Sequence, residues 1–218
     1  MDFMPLLFSA FKPLLWLLPF LVLIAVLKSP WFKGRMGERR VRGLISRRLD
    51  PAIYRELSDV TLQTERGTTQ IDHVYVSPFG ILVIETKCMT GWIFGGARQA
   101  QWTQSIYGKK HRFQNPLRQN YAHIKALQLM LHLPESAFKS IVVFVGDCTL
   151  KTEMPDEVCT YSDLIEYIHS IDKPILSQQQ VAEAYDTIQT QRLDQSYRTN
   201  REHVAGLKRR HRDSAGLQ

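Results

Sequence analysis

The segment QIDHVYVSPFGILVIETK, residues 70–87, constrains the fold of this chain most tightly. Two runs rich in β-branched and aromatic residues flank Ser77, Pro78, Phe79 and Gly80, a composition that makes a turn between antiparallel strands. A turn symmetric about Pro78 and Phe79 sets Asp72 opposite Glu85 and Gln70 opposite Lys87. Alternation then places Gln70, Asp72, Val74 and Val76 on one face with Ile81, Val83, Glu85 and Lys87. That face is apolar beside the turn and polar at the open end. A slip of one residue would send the two acids to opposite faces, so the parity of the turn decides whether they meet.

Two carboxylates held about 5 Å apart across a strand pair repel. Burying them is costly unless a proton or a cation compensates. Hard oxygen ligands suit Mg²⁺ or Mn²⁺. Lys87, two residues beyond Glu85, adds an ammonium suited to a developing phosphate charge or to an attacking water. On residue types alone the same pattern also describes a salt-bridge ladder on an exposed sheet face, with Lys87 shared by the two acids.

Charge is unevenly distributed. The formal net charge is +7, but residues 1–48 and 191–218 hold the basic excess and the middle of the chain is net acidic. Within that middle, residues 86–134 contain no acid, while Lys87, Arg98, Lys109, Lys110, Arg112, Arg118 and Lys125 are interleaved with Trp92, Trp102, Tyr107, Phe113 and Tyr121. Such a stretch suits a polyanion, with bases stacking on aromatics and cations neutralising phosphates. Lys109, Lys110, Arg112 and Arg118 are the expected substrate contacts, and Trp102 and Phe113 are assigned to packing. His111, His123 and His132 form no ligand pair on one helix face and are assigned solvated or core roles.

Residues 3–27 form an apolar run broken only by Lys12. As a helix it is long enough for a hydrocarbon core of roughly 30 Å. Asp2 stands where a signal peptide would carry basic residues, and no small-residue cleavage site follows, so an uncleaved anchor is expected. Lys28, Lys33, Arg35, Arg39, Arg40 and Arg42 follow it, which puts the rest of the chain on the cytoplasmic side of a single-pass inner membrane protein. Cys88, Cys148 and Cys159 form no CxxC pair, in keeping with a reducing compartment. The expected organisation is an anchor over 1–28, a domain over 29–175, and a helix with a basic tail over 176–218. The LKRRHR run at 207–212 belongs to that tail.

The remaining pattern predicts an amphipathic helix over 35–49 and strands over 53–63, 68–76 and 81–87, the first two separated by a turn at Glu65, Arg66 and Gly67. Strands over 91–94 and 101–107 follow, with a turn at Gly108 and Lys109. A helix from Pro116 to about Leu133 is capped by Asn115, and IVVFVG is a buried strand. Helices over 161–170 and from Gln178 to about Gln195 complete the chain.

Taken together, Gly37 and Glu38, QIDHVYVSPFGILVIETK, GWIFG at 91–95, Gln101 with Trp102, and FQNPLRQNYAHIKAL at 113–127 resemble the bacterial nuclease-related domain, a family grouped with PD-(D/E)XK nucleases. The resemblance covers about half of the chain, in order and at close spacing. It implies a mixed α/β fold, a restriction-endonuclease-like mixed sheet flanked by helices, here preceded by a transmembrane helix. It also implies a Mg²⁺- or Mn²⁺-dependent site that hydrolyses phosphodiester bonds of nucleic acid. Glu38 matches the acid of the first helix, Asp72 the central metal ligand, Glu85 and Lys87 the ExK pair, and Gln119 the polar residue on the following helix. The metal ligands so implied are Asp72, Glu85 and the backbone carbonyl of Thr86. Ile71 stands where the wider superfamily often has Pro. His73 belongs to the family's IDH pattern, yet alternation points it away from the acids and gives it a packing or hydrogen-bonding role. The alternatives are a non-catalytic, membrane-tethered module that binds nucleic acid or protein, and a scaffold whose basic flank recruits anionic lipid.

Overall fold

In a computed structural model of the chain, which describes residues 3–194 apart from residue 66, the 70–87 hairpin is the centre of a five-stranded sheet. Strand β2 (Gly67–Ser77) pairs antiparallel with β3 (Gly80–Cys88) from Ser77 opposite Gly80 to His73 opposite Ile84, the register expected from the turn. Gly80 sits at φ +124°, and a Cβ there would lie 2.8 Å from the Ala137 carbonyl oxygen, so only glycine fits that turn. β1 (Arg55–Thr64) pairs antiparallel with the other edge of β2. β3 pairs in parallel with β7 (Phe138–Val145), and β7 with the short β9 (Val158–Thr160). The order is β1-β2-β3-β7-β9.

Helices cover both faces of this sheet, which is why its central strands read as nearly continuous apolar runs. Val74, Val76, Ile81 and Val83 pack against Ile124 and Leu127 of α3 (Pro116–Leu131) and Val181, Ala184 and Ile188 of α5 (Gln178–Gln191). On the opposite face, Tyr75, Leu82, Ile84, Ile141 and Val143 pack against Val41 and Ile45 of α2 (Pro30–Arg48) and Leu164 and Ile168 of α4 (Leu164–Ser170).

The expectation of one flanked sheet is corrected by a second, four-stranded one. Its order is β6-β5-β4-β8, from β6 (Lys109–Gln114), β5 (Gln101–Ile106), β4 (Gly91–Phe94) and β8 (Cys148–Leu150). The two sheets meet at Trp102, fully buried, whose ring stacks on Phe144 at 6.1 Å and 6° and meets Phe113 edge-on at 6.2 Å. The packing role expected of Trp102 and Phe113 holds. β6, KKHRFQ, carries no strand signature because it is an exposed edge strand whose polar residues face solvent. The β5–β6 turn falls at Tyr107 and Gly108, φ +48° and +79°, one residue before the expected place and with the paired positive φ of a two-residue hairpin.

α3 begins as expected. The Asn115 side chain accepts the Leu117 N–H at 2.9 Å, and its Nδ2 donates to the carbonyls of Gly96, Ala97 and Gln99. His132, at φ +52°, ends the helix just before Pro134. α4 starts at Leu164 rather than 161, because Thr160, Ser162 and Asp163 hydrogen-bond among themselves in a turn. α2 starts earlier than position 35, at Pro30, with the Ser29 hydroxyl accepting the Phe32 N–H.

α1 runs from Phe3 to Lys28, and from Trp16 to Leu27 most of its large apolar side chains are exposed. From Trp16 onward, among the described residues, no single helix is long and apolar enough to cross a membrane. Trp16–Lys28 covers only about 20 Å at the helical rise. Together with Pro30–Arg48, bent from it by 57°, it passes by length and composition as a pair. α2, however, is committed to the sheet through Gly37, Val41 and Ile45. The expected single span over 3–27 is therefore not carried by the described residues. The last helix ends at Gln191, with Arg192 as its cap, short of the expected Gln195. Asp2, Arg66, Gln195 and the 207–212 run lie outside the described residues.

Gly37 lets α2 lie against β3: a Cβ there would stand 2.9 Å from the Cys88 Cβ. Gly37→Val should cost about 2 kcal/mol in urea unfolding, and Cys88→Gly in the same chain should recover part of that loss. An unchanged midpoint for Gly37→Val would show that the helix does not need this close approach.

Candidate active site at the strand fork

The β2–β3 ladder stops at His73 and Ile84, one pair short of Asp72 and Glu85. Beyond it β2 continues along β1 and β3 along β7, so the hairpin forks. The two acids occupy the opening. Asp72 Oδ2 accepts the Thr86 N–H at 2.8 Å, a side-chain bond at the place where the hairpin ladder has ended. The β1–β2 ladder is also interrupted there, since Ser58 pairs with His73 and Val60 with Ile71 but Asp59 and Asp72 do not pair. Asp59 has φ +53°, a left-handed conformation that Asp tolerates better than most residues.

Lys87 Nζ donates to Glu85 Oε1 at 2.6 Å and to Gln119 Oε1 at 3.0 Å. The other Glu85 oxygen, Oε2, lies 3.2 Å from His123 Nε2, and His123 Nδ1 lies 2.8 Å from Thr69 Oγ1. Gln119 and His123 are one turn apart on α3 and so face the acid together. From the other face of the sheet, α2 brings Arg35, whose guanidinium pairs with Glu38 at 3.3 Å and with Asp59 at 2.5 Å.

The structure thus brings together Asp72, Glu85, Lys87 and Gln119, and adds Glu38 from α2. Thr86 meets Asp72 through its N–H; its carbonyl is given no role by these contacts. Lys109, Lys110 and Arg112 are exposed on β6. Arg118, exposed in the first turn of α3, donates to the Arg98 carbonyl at 2.8 Å. His73 is buried beside Ser58, and burial pushes its imidazole down to about 4, in keeping with a packing role. His123 departs from expectation. It is buried, but against Glu85 rather than in an apolar core. Its spacing from Gln119 was the available signal. Arg35, Asp59 and Thr69 were also missed, and nothing local in the sequence marks them.

Electrostatics separate the two central acids. Burial pushes the Asp72 carboxyl well above the usual range, and the nearby charges of Glu85 and Glu38 push it further, against the Thr86 N–H and Lys87. Burial also raises Glu85, but the Lys87 charge and the His123 hydrogen bond outweigh it and hold that carboxyl below its ordinary value. Burial raises Glu38 despite Arg35. The site holds four acids, Glu38, Asp59, Asp72 and Glu85, against the fixed cations Arg35 and Lys87. Asp72 is the acid left short of a positive partner. Among the described residues, no three His, Cys, Asp or Glu side chains converge as a ready-made metal cage.

Residues 33–145, which contain every group just described, match the nuclease-related domain. The chain belongs to the nuclease-related domain family. It is also 40% identical over 182 residues to an uncharacterized protein of Bacillus anthracis, an alignment covering 77% of this chain and 85% of that protein. No solved structure matches it. Membership makes a nuclease-related function the family-level description of the domain, and nuclease-like domains commonly use divalent metals.

Because the folded state binds the Asp72 proton more tightly than the unfolded chain, Asp72 favours folding below the free carboxyl value of about 3.9. That contribution is lost as pH rises through the elevated folded pKa. Asp72→Asn, which keeps an acceptor for the Thr86 N–H, should therefore raise the thermal midpoint of the metal-free protein at pH 7. The gain should shrink toward pH 3. A midpoint at pH 7 equal to or below that of the wild type would contradict this charge balance.

Proposed function

We propose that this nuclease-related chain is a membrane-anchored nuclease whose domain faces the cytoplasm and hydrolyses phosphodiester bonds of nucleic acid with Mg²⁺ or Mn²⁺. The observation that carries the reading is Asp72, crowded by Glu85 and Glu38 at the fork with no cation of its own. Crowded carboxylates are the donor set a hard divalent ion fits. Asp72 and Glu85 would hold it, with the Thr86 carbonyl as a third oxygen. When bound, such an ion polarises a phosphate oxygen and lowers the pKa of water. Lys87, steered by Glu85 and Gln119, supplies positive charge for the phosphate in the transition state or orients the attacking water. His123 fixes the second Glu85 oxygen, so the carboxylate does not rotate away. Glu38, oriented by Arg35, contributes an oxygen toward Asp72 or a water contact. Gln119 contacts substrate or solvent beside Lys87, and Lys109, Lys110, Arg112 and Arg118 lead the polyanion toward the fork.

The anchor rests on α1, whose exposed apolar side chains between Trp16 and Leu27 find no cover in the domain. Residues 1–28 are its extent in this reading, 29–175 the nuclease-related unit, and 176–218 a C-terminal helix and tail. The basic residues after α1 support the cytoplasmic orientation and the inner membrane. One observation favours a non-catalytic, tethered binding module instead: both Glu85 oxygens are already engaged, by Lys87 and His123.

Full-length protein in mild detergent should cut single- or double-stranded DNA or RNA with Mg²⁺ or Mn²⁺ and not with chelator. Asp72→Ala and Lys87→Ala should each lower the rate by about 100-fold or more. No cleavage of any of the four substrates, or undiminished cleavage by either variant, would favour the binding module.

A further inference from the structure

We infer that the outer face of the small sheet is a stacking platform for single-stranded nucleic acid. The register fixes which side chains share that face. Trp92 is opposite Ser105, and Ser105 is opposite Lys110; in the next row Phe94 is opposite Thr103, and Thr103 is opposite Arg112. The inner face carries Ile93, Trp102 and Phe113 into the core, so by alternation Trp92, Lys110 and Arg112 point outward. Trp92 is 53% exposed, and Lys151 Nζ stands 4.9 Å from the centre of its ring. Lys110, Arg112 and Lys151 are exposed, and none of the four strands contains an acid.

A half-exposed indole with the Lys151 ammonium over its ring, and Lys110 and Arg112 two strands away on the same face, matches a base and its flanking phosphates. It fits single strands better than a duplex, whose bases offer no free face. An anionic lipid surface would satisfy the cations without using the small polar residues Ser105 and Thr103 between them.

The topology ties this face to the fork. β4, β5 and β6 lie in the chain between Lys87 and Gln119, and those two side chains are hydrogen-bonded to each other. Both ends of the insertion therefore sit at the site. This inference rests on the proposed nuclease function and names its substrate class: a strand held on Trp92 runs from the platform toward the acids.

The test is fluorescence anisotropy of the full chain in mild detergent, in the presence of chelator. The probes are a labelled single-stranded 20-mer as DNA and as RNA, and the DNA duplex of the same sequence. At least one single strand should bind more tightly than the duplex. Trp92→Ala should weaken it about tenfold, within the range of one stacked base, and Trp92→Phe should retain most of the affinity. Lys110→Ala with Arg112→Ala should lower the salt slope by about 1.4, two phosphate contacts' worth for a single strand. Unchanged binding by Trp92→Ala would overturn the platform, as would preference for the duplex. So would competition of the single strand by phosphatidylglycerol mixed into the detergent micelles that is lost in Trp92→Ala. Chelator separates the two readings. A chain that binds single strands through Trp92 but cuts nothing with metal keeps the platform and loses the nuclease; a chain that cuts but ignores Trp92 does the reverse.

Discussion

The bond from the Thr86 N–H to Asp72 Oδ2 stands where β2 and β3 part company, and the rest of the site depends on that parting. A hairpin paired to its end would hold its two strands side by side and leave no space between them. Here β2 stays with β1 and β3 stays with β7, so each strand keeps a neighbour while the gap between them opens. Polar groups in such a gap must find partners. The sequence supplies them at the right depth: Asp72, Thr86 and Glu85 where pairing stops, and valines and isoleucines where it continues. A one-residue change in the turn would turn Asp72 and Glu85 to opposite faces.

Charge sets the next constraint. Glu85 is tolerated because a lysine and a histidine each take one of its oxygens. Glu38 and Asp59 share one guanidinium. Asp72 has a backbone N–H and little else against two neighbouring carboxylates. Buried acids without a cation cost stability, and that cost is the usual mark of a site shaped for a ligand rather than for folding. The helices supply the rest of the shell. α3 delivers Gln119 and His123 from one face, and α2, brought close by Gly37, delivers Glu38 and Arg35 from the other.

The central hairpin was legible in the sequence because its signals are local. The turn at Pro78 and Phe79 sets the register, and alternation follows from it. Asn115 and Pro116 likewise mark the start of α3, and the packing role of Trp102 follows from the usual burial of large aromatics, a tendency that Trp92 does not obey. The second sheet was harder to read. β6 is an edge strand of lysines, histidine and arginine whose existence depends on pairing with β5, and β8 and β9 are each three residues long. His123 is set apart from His111 and His132 only by its one-turn spacing from Gln119, a signal that acquires meaning once α3 packs on β3 and β7. Asp59 and Arg35 meet across 24 positions of chain, a distance no periodicity reports. The sheet, the Asp72–Glu85 pair and Lys87 were thus readable from pattern and Glu38 from the family resemblance, while Arg35 and His123, which help to balance those acids, are placed there by tertiary packing.

The fork is an acidic site lacking one cation. Calorimetric titration of Mn²⁺ into the full chain, with no nucleic acid present, tests it most directly. About one ion should bind per chain, with binding lost in Asp72→Asn and weakened in Glu85→Gln. Absence of Mn²⁺ binding, or binding that both variants retain, would contradict it.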